Sequence, residues 1–382
     1  MFSFLGNKEN WNQKIINQGS DFLQSWQWGE FQKSIGQKVI RQEIADMPVQ
    51  IIKYPLPMGQ SYLYGPHLFS VKCKVPTYAE ALADKQSAKL KEELQELQEL
   101  KVICKKENAI FLRVDFLAEK ITETATELQR ALREAKFQPA PENYYFSAVS
   151  QSPHVAHLDI SGSEEQILSA MRYNTRRSIR LAKNRGIIVE QSEDIESFFN
   201  LLTQTSQRKN VSLHPREHYF KLKQALGSDL VLLMAYKKYR HSEAGATAEA
   251  EESQGVAVNS GDTPKSFGLR PQDDSCTLLA GAMILFFGKQ ATYLHAGSLS
   301  GSQNQEAPYL ILWYAIQEAK KRGCKILDLG AVAPEGSQNH PWQSITTFKM
   351  GWRPRAVNYL PAYDWVNKQL WYKLYCWKKN LK

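Results

Sequence analysis

Apolar positions along this chain switch repeatedly between a spacing of two and a spacing of three to four, so strands and helices should alternate throughout. Phe22, Trp26 and Phe31, set among polar residues, predict a short helical stretch within 11–36. Alternation from Val39 to Ile52 predicts two strands, broken near Met47-Pro48. A strand at 62–69 should run into a turn at Gly65-Pro66. Within 77–106, Leu90, Leu94, Leu97 and Leu100 recur at intervals of three and four among charged residues, the mark of a helix with one apolar stripe. A strand at 110–116, a helix at 122–136 and a strand at 144–149 complete a first lobe, residues 1–155.

The second lobe, residues 156–382, opens with a strand at 157–160. Ser161 and Glu164 have the spacing of a capping box, and a helix should run from there to about Lys183 and stop at Gly186. Helices at 194–208 and 215–226 follow, then strands at 231–236, 276–287 and 291–298. The helix at 307–323 is punctuated by Pro308 near its start and Gly323 at its end, and a buried strand follows at 325–330. The fold class read from this order is mixed α/β in two lobes. Residues 242–275 interrupt two strands that otherwise look like hairpin partners. They hold seven acidic and two basic residues with few large apolar ones, and read as a flexible, disordered acidic insertion.

A hydrophobic fraction of 43% suffices for real cores. The opening MFSFLGNKEN loses its apolar character after Leu5, too early for a secretory signal, and no window has the length of a spanning helix. A cytoplasmic location is therefore expected. Cys73, Cys104, Cys276, Cys324 and Cys376 are widely spaced with no CxxC pair, which argues for free thiols and against a zinc site or a disulfide framework. The formal net charge of +9 favours anionic partners without choosing among nucleic acid, phosphorylated metabolites and lipid.

That charge is densest in TRRSIRLAKNRG, 175–186. Arg172, Arg176 and Arg180 are spaced four apart and would share a helix face, where like charges repel unless an anion offsets them. His154 with His157, and His214 with His218, lack the further ligands of a metal site, so no metal and no cofactor are expected. The sequence has no GxSxG, no GxxxxGK[ST] and no GxGxxG.

Five segments in order resemble the FemABX peptidyltransferases: WQWGEFQKSIG (26–36), TRRSIRLAKNRG (175–186), YLHAGS (293–298), APYLILWYAIQEAKKRGCKILDLGA (307–331) and TTFKMGW (346–352). The resemblance spans nearly the whole chain. It implies two GNAT-like lobes in tandem and transfer of an amino acid from aminoacyl-tRNA to the stem-peptide amine of a peptidoglycan precursor. The implied partners are aminoacyl-tRNA and a phosphorylated precursor, UDP-linked or lipid-linked. A peripheral contact with the inner membrane surface and a monomeric state are also expected. By the same resemblance, Arg176 and Arg180 stand where phosphate is contacted, Lys33 is a further phosphate candidate, and Tyr293 and Phe348 join the substrate contacts. Family members often carry a basic residue before Gly-Pro; this chain has Tyr64 there.

Lys349 is the candidate catalytic residue. The loop 331–345, with Pro334, Gly336 and Pro341, should bring TTFKMGW back over the strand tips. Phe348 would then anchor the segment, Gly351 would permit a tight turn, and Lys349 would project one positive charge into a groove. Asp328, at a strand tip, suits a cap or turn as well as a base. Two alternatives remain: an acyl-coenzyme A-dependent GNAT-type N-acyltransferase, although no pyrophosphate loop is evident between 283 and 312, and a non-enzymatic nucleic-acid-binding protein resting on the arginine helix.

Overall fold

Strand and helix alternate as the hydrophobic spacing predicts. The computed structural model describes residues 7–44, 47–68, 83–141, 151–209, 211–238, 276–301 and 306–380. The strand expected at 144–149, the insertion at 242–275 and Cys73 lie outside the described residues. The chain begins with α1 (Lys8–Asn17), a 3-10 turn (Phe22–Gln24) and α2 (Trp26–Ser34). Then come β1 (Lys38–Ile44), β2 (Met47–Pro55), β3 (Ser61–Gly65), α3 (Ala83–Lys106), β4 (Phe111–Val114), α4 (Glu123–Glu134) and β5 (Gln138–Pro139). The middle of the chain forms β6 (His154–Asp159), α5 (Glu164–Ala170), α6 (Tyr173–Asn184), β7 (Ile187–Ser192), α7 (Ile195–Lys209), α8 (Arg216–Leu226) and β8 (Leu230–Lys238). After the insertion follow β9 (Cys276–Phe287), β10 (Gln290–Ser298), α9 (Ala307–Lys321), β11 (Ile326–Ala331), α10 (Gln343–Met350), β12 (Arg355–Asn358), β13 (Tyr363–Val366) and α11 (Gln369–Asn380).

Among the described residues these strands form two mixed sheets, ordered β1-β2-β3-β4-β13-β5 and β12-β6-β11-β10-β9-β8-β7. The two share a plan. An antiparallel meander ends in one parallel step, β3 to β4 in the first and β10 to β11 in the second, and each step is bridged by one described helix, α3 or α9. This is the tandem GNAT-like architecture that the resemblance implies. The pairing of β8 with β9 confirms that the acidic insertion separates hairpin partners.

Sequence order and sheet order part company at two places. β6 follows β5 in the chain but lies between β11 and β12; β13 follows β12 but lies between β4 and β5. The second half thus lends β13 to the first sheet. The division at 155/156 leaves β13 and α11 with the second lobe, whereas hydrogen bonding puts β13 in the first sheet. The lent strand is tied by Arg113, whose Nε and Nη2 donate to the two carboxylate oxygens of Asp364 at 2.8 and 2.7 Å. Both side chains are fully buried, and the Tyr372 hydroxyl on α11 donates to the same carboxylate at 2.7 Å.

The N-terminal segment also serves both halves. The Gln24 side chain bonds the backbone N–H and carbonyl of Gln50 in the first sheet. Phe31 packs into the core formed by Phe198, Tyr219 and Leu222 of the second. A core around α9, including Trp313, Ile284, Leu327 and Trp352, holds the other face of the second sheet.

Two local expectations change. The single helix from 164 to 183 is two, because Met171 and Arg172 are extended between α5 and α6. The capping box uses Ser163 and Gln166 in place of Ser161 and Glu164, since Ser161 is held by Asp159 instead. Among the described residues, no helix is long and apolar enough to cross a membrane.

Candidate active site

Parallel strands that diverge leave a gap at their carboxyl ends, and ligands bind outside such ends in open α/β sheets. The second parallel step opens here before its strands end, whereas the first ends with its strands. Pairing of β3 with β4 ends at Gly65 and Val114, and pairing of β10 with β11 ends at Thr292 and Asp328, although β10 continues to Ser298. In each lobe an aspartate stands at the end of this pairing: Asp115 just past β4 and Asp328 in β11.

Around Asp115 the polar groups are closely matched. Its carboxylate accepts from the Tyr64 hydroxyl and the His67 backbone N–H, both at 2.5 Å, and from Gln151 N–H at 3.4 Å. His67 has φ +45°, an uncommon backbone for a side-chain-bearing residue, and its Nδ1 lies 2.5 Å from Asp21 Oδ2. Burial alone would lower the His67 pKa, but the charge and hydrogen bond of Asp21, with Asp115 and Asp328 behind, raise it to about 9.

Around Asp328 the chain is irregular. The register of β11 against β6 shifts between Asp328 and Ala331, where Gly330 takes φ +74°. Asp328 Oδ1 accepts the Gly330 N–H at 2.7 Å, so it braces the bulge, and His157 Nε2 stands 3.7 Å from the same oxygen. Burial raises the Asp328 pKa, against the pull of His157, the Gly330 N–H and Lys349. Burial lowers that of His157, against the pull of Asp328. Tyr359 lies beside His157, ring centroids 6.2 Å apart, and burial raises its hydroxyl's pKa. Asp115 accepts from Gln151, three residues before β6, and β6 carries His157 to Asp328, so the two aspartate clusters are joined in one polar seam between the lobes. Glu119 and Arg355 close its rim with bonds of 2.6 and 3.0 Å.

Lys349 enters this seam from the last turn of α10. Its side chain is 8% exposed, and Nζ donates to the Ala331 carbonyl at 2.7 Å. Burial lowers its pKa to about 8, against the countering field of Asp328. The sequence expected the loop 331–345 to bring TTFKMGW back over the strand tips, with Gly351 permitting a tight turn. Lys349 itself sits on the helix that follows this loop, and Gly351 closes that helix with ordinary helical φ of −62°. What requires glycine there is proximity: a Cβ at Gly351 would stand 2.5 Å from Thr175 Oγ1 on α6.

A family model of the FemAB family matches residues 9–259 and 268–379. This chain belongs to the FemAB family. The lipid II:glycine glycyltransferase of Staphylococcus aureus strain USA300 is 20% identical over 315 residues, 73% of this chain and 74% of that protein. Its counterpart in strain MRSA252 is 20% identical over 312 residues, with the same coverage. A crystal structure of FemX superposes with a TM-score of 0.74 at 16% identity, covering 98% of this chain and 99% of that one. As a FemAB protein, the chain is an aminoacyltransferase of peptidoglycan synthesis with a GNAT-like fold. The acyl-coenzyme A and nucleic-acid-module alternatives are not favoured.

The seam of this FemAB protein gathers some of the residues singled out from sequence and leaves others apart. Lys349 and Tyr64 face it, though Tyr64 is buried, with its hydroxyl taken up by Asp115 and the Gln151 N–H. Phe348 packs against Tyr309 and Trp352, with centroids 4.9 and 6.4 Å apart. Tyr293 lies on β10 just past its pairing with β11, half-buried against the second core. Arg176 turns back to α5, where Nη1 donates to the carbonyls of Leu168, Ser169 and Met171 at 3.2, 2.6 and 3.0 Å. Arg172 lies outside α6 as its N-cap, so the expected face of three arginines keeps only Arg176 and Arg180 in the helix. Arg180 is exposed, and Lys33 pairs with Glu30 at 2.9 Å on the surface of α2.

Sequence reasoning missed Asp21, His67 and Asp115. One signal was available: IFLRVD and KILD each end an apolar strand on an aspartate, once in each lobe. Among the described residues, no group of three or more His, Cys, Asp and Glu is placed to hold a metal.

Proposed function

We propose that the protein transfers an amino acid from aminoacyl-tRNA to the stem-peptide amine of a peptidoglycan precursor, working as a monomer on the cytoplasmic side. The observation that carries this reading is the buried Lys349 ammonium beside Asp328, where the second parallel step diverges. The acceptor nitrogen attacks the ester carbonyl. A C–N bond forms, the C–O bond to the terminal ribose breaks, the amine loses a proton and the ribose oxygen gains one. The ester is already activated, so positioning supplies much of the acceleration. Negative charge gathers on the carbonyl oxygen in the tetrahedral intermediate, where a fixed cation helps more than in the ground state.

Anionic parts of the precursor would meet Arg180 and the remaining donors of Arg176, while Lys33, on α2 at the other face of the second sheet, would meet a separate part of it. Tyr293 and Phe348 would border the reacting ends, and Tyr64 would hold the wall of the seam through Asp115. The name of the staphylococcal relative favours a lipid-linked acceptor. The test is transfer of a labelled amino acid from charged tRNA to the precursor. It should be abolished by ribonuclease treatment of the donor and should not be replaced by acyl-coenzyme A. Transfer that survives ribonuclease, or that runs on acyl-coenzyme A, would overturn the reading.

A further inference from the structure

The C-terminal helix α11 presents two opposite faces. Tyr372 and Tyr375 are buried on the first sheet, in the aromatic cluster with Tyr62 and Phe111. On the other side Leu370, Leu374 and Trp377 are 77%, 53% and 64% exposed. At about 100° per residue, the exposed arc reads Lys373, Trp377, Leu370, Leu374, Lys378, an apolar centre with a lysine on each flank. Beside it the turn between β2 and β3 holds out Met58, 76% exposed. An apolar groove of about 370 Å³ joins the two, lined by Leu56, Pro57, Met58, Trp371, Leu374 and Trp377. Large apolar side chains gathered in this way on a water-soluble surface mark a contact site.

We propose that this face of α11, with Met58, docks on an anionic lipid surface. Tryptophan and leucine between flanking lysines match the boundary of a bilayer, where the rings and aliphatic groups enter the headgroup region and the ammonium groups stay among the phosphates. Charge decides against a second copy as the occupant. From Trp365 to Lys382 the sequence has five lysines and no acidic residue, so a symmetric pairing of this face would set lysine against lysine. An anionic leaflet supplies the missing counter-charge. Strands β3 and β4 begin beside the groove and end at the polar seam, which places the seam about 16 Å away, one five-residue strand at 3.3 Å per residue. The docking face stands on its own surface chemistry, whichever acyl group the seam transfers.

The test is cosedimentation of the full chain with vesicles of phosphatidylcholine alone or mixed with phosphatidylglycerol. Retention on the mixed vesicles is expected, weakening with salt. Leu374→Gln with Trp377→Gln should lower the partition coefficient at least about tenfold, and Lys373→Gln with Lys378→Gln should remove the preference for phosphatidylglycerol. Ile121→Gln removes a still more exposed apolar side chain elsewhere and should change nothing. Should the apolar double variant fail to melt cooperatively, brominated lipid offers a second reading: it should quench tryptophan emission in the wild type and less in Trp377→Phe. No retention by mixed vesicles, equal retention of the apolar variant, equal quenching in Trp377→Phe, or a concentration-dependent dimer abolished by Trp377→Gln would each overturn the proposal.

Discussion

Lys349 Nζ donates to the carbonyl of Ala331 at 2.7 Å, and Ala331 is the residue at which β11 regains its register after the Asp328–Gly330 bulge. One hydrogen bond thus fixes the buried amine to the irregular tip of the strand. The bulge, the aspartate that braces it and the cation above form one unit.

Lys349→Met should lower turnover about 10²-fold or more, the usual loss for a group that stabilises an oxyanion. Thermal stability should stay within about 1 kcal/mol, because one hydrogen bond is lost and a costly buried charge goes with it. The pH dependence has a defined sign. Burial lowers the Lys349 pKa to about 8, so the ammonium is lost as pH rises through that value. The ratio of wild-type to Lys349→Met single-turnover rates should therefore fall across pH 8. That ratio cancels the acceptor amine's own titration, and a ratio constant with pH would remove the charge from the mechanism.

His67 and Asp21 make a different pH prediction. The folded pKa of His67 is raised to about 9 from 6.5, so the stability it adds is fully present below pH 6.5 and lost as pH rises through 9. The full difference is of the order of 3 kcal/mol. Urea midpoints taken at increasing pH should show this decline in the wild type and a flatter profile in His67→Gln. Parallel profiles would mean that the pair carries no linked proton.

The buried pair Arg113–Asp364 should be a strong joint for the lent strand. Removing one partner leaves a charge buried without its counter-ion, and Asp364→Ala should cost about 3–5 kcal/mol. Tyr372→Phe removes only a hydroxyl donor to that carboxylate and should cost about 1 kcal/mol. Denaturant titration of both variants separates the two, and equal losses would contradict the assignment.

Arg176 and Arg180, one helical turn apart, should behave differently. Arg176 ties three carbonyls at the end of α5, so Arg176→Ala should lower stability by about 1–2 kcal/mol. Arg180 is exposed on α6, and Arg180→Ala should leave melting unchanged while weakening precursor binding roughly tenfold. Unchanged precursor affinity in Arg180→Ala would take Arg180 out of the binding surface.

Much of the fold was legible because apolar spacing is local. The period of α9 and its Pro308 and Gly323 punctuation lie within one stretch, and the match of β8 to β9 survives the insertion because both strands keep their own alternation. The return of β13 to the first sheet was not legible. β13 is four residues long, and the bond its Asp364 accepts from Arg113 spans 251 positions, which no local pattern records. The seam was half legible. Lys349 was found through a motif, but Asp21, His67 and Asp115 are single polar residues in connections, brought together only where β3 and β4 end. The break between α5 and α6 escaped because the apolar period runs through Met171 without a glycine or proline to mark it.

The most direct measurement is the mass of the acceptor after the purified protein has been incubated with a mixture of charged tRNAs and the peptidoglycan precursor. Aminoacyl transfer predicts a precursor heavier by one or more whole amino-acid residues, placed by fragmentation on the stem-peptide amine. It also predicts that Lys349→Met, equally well folded, leaves most of the precursor unmodified at the same time point. A precursor of unchanged mass with active wild-type protein and intact charged tRNA would contradict the account.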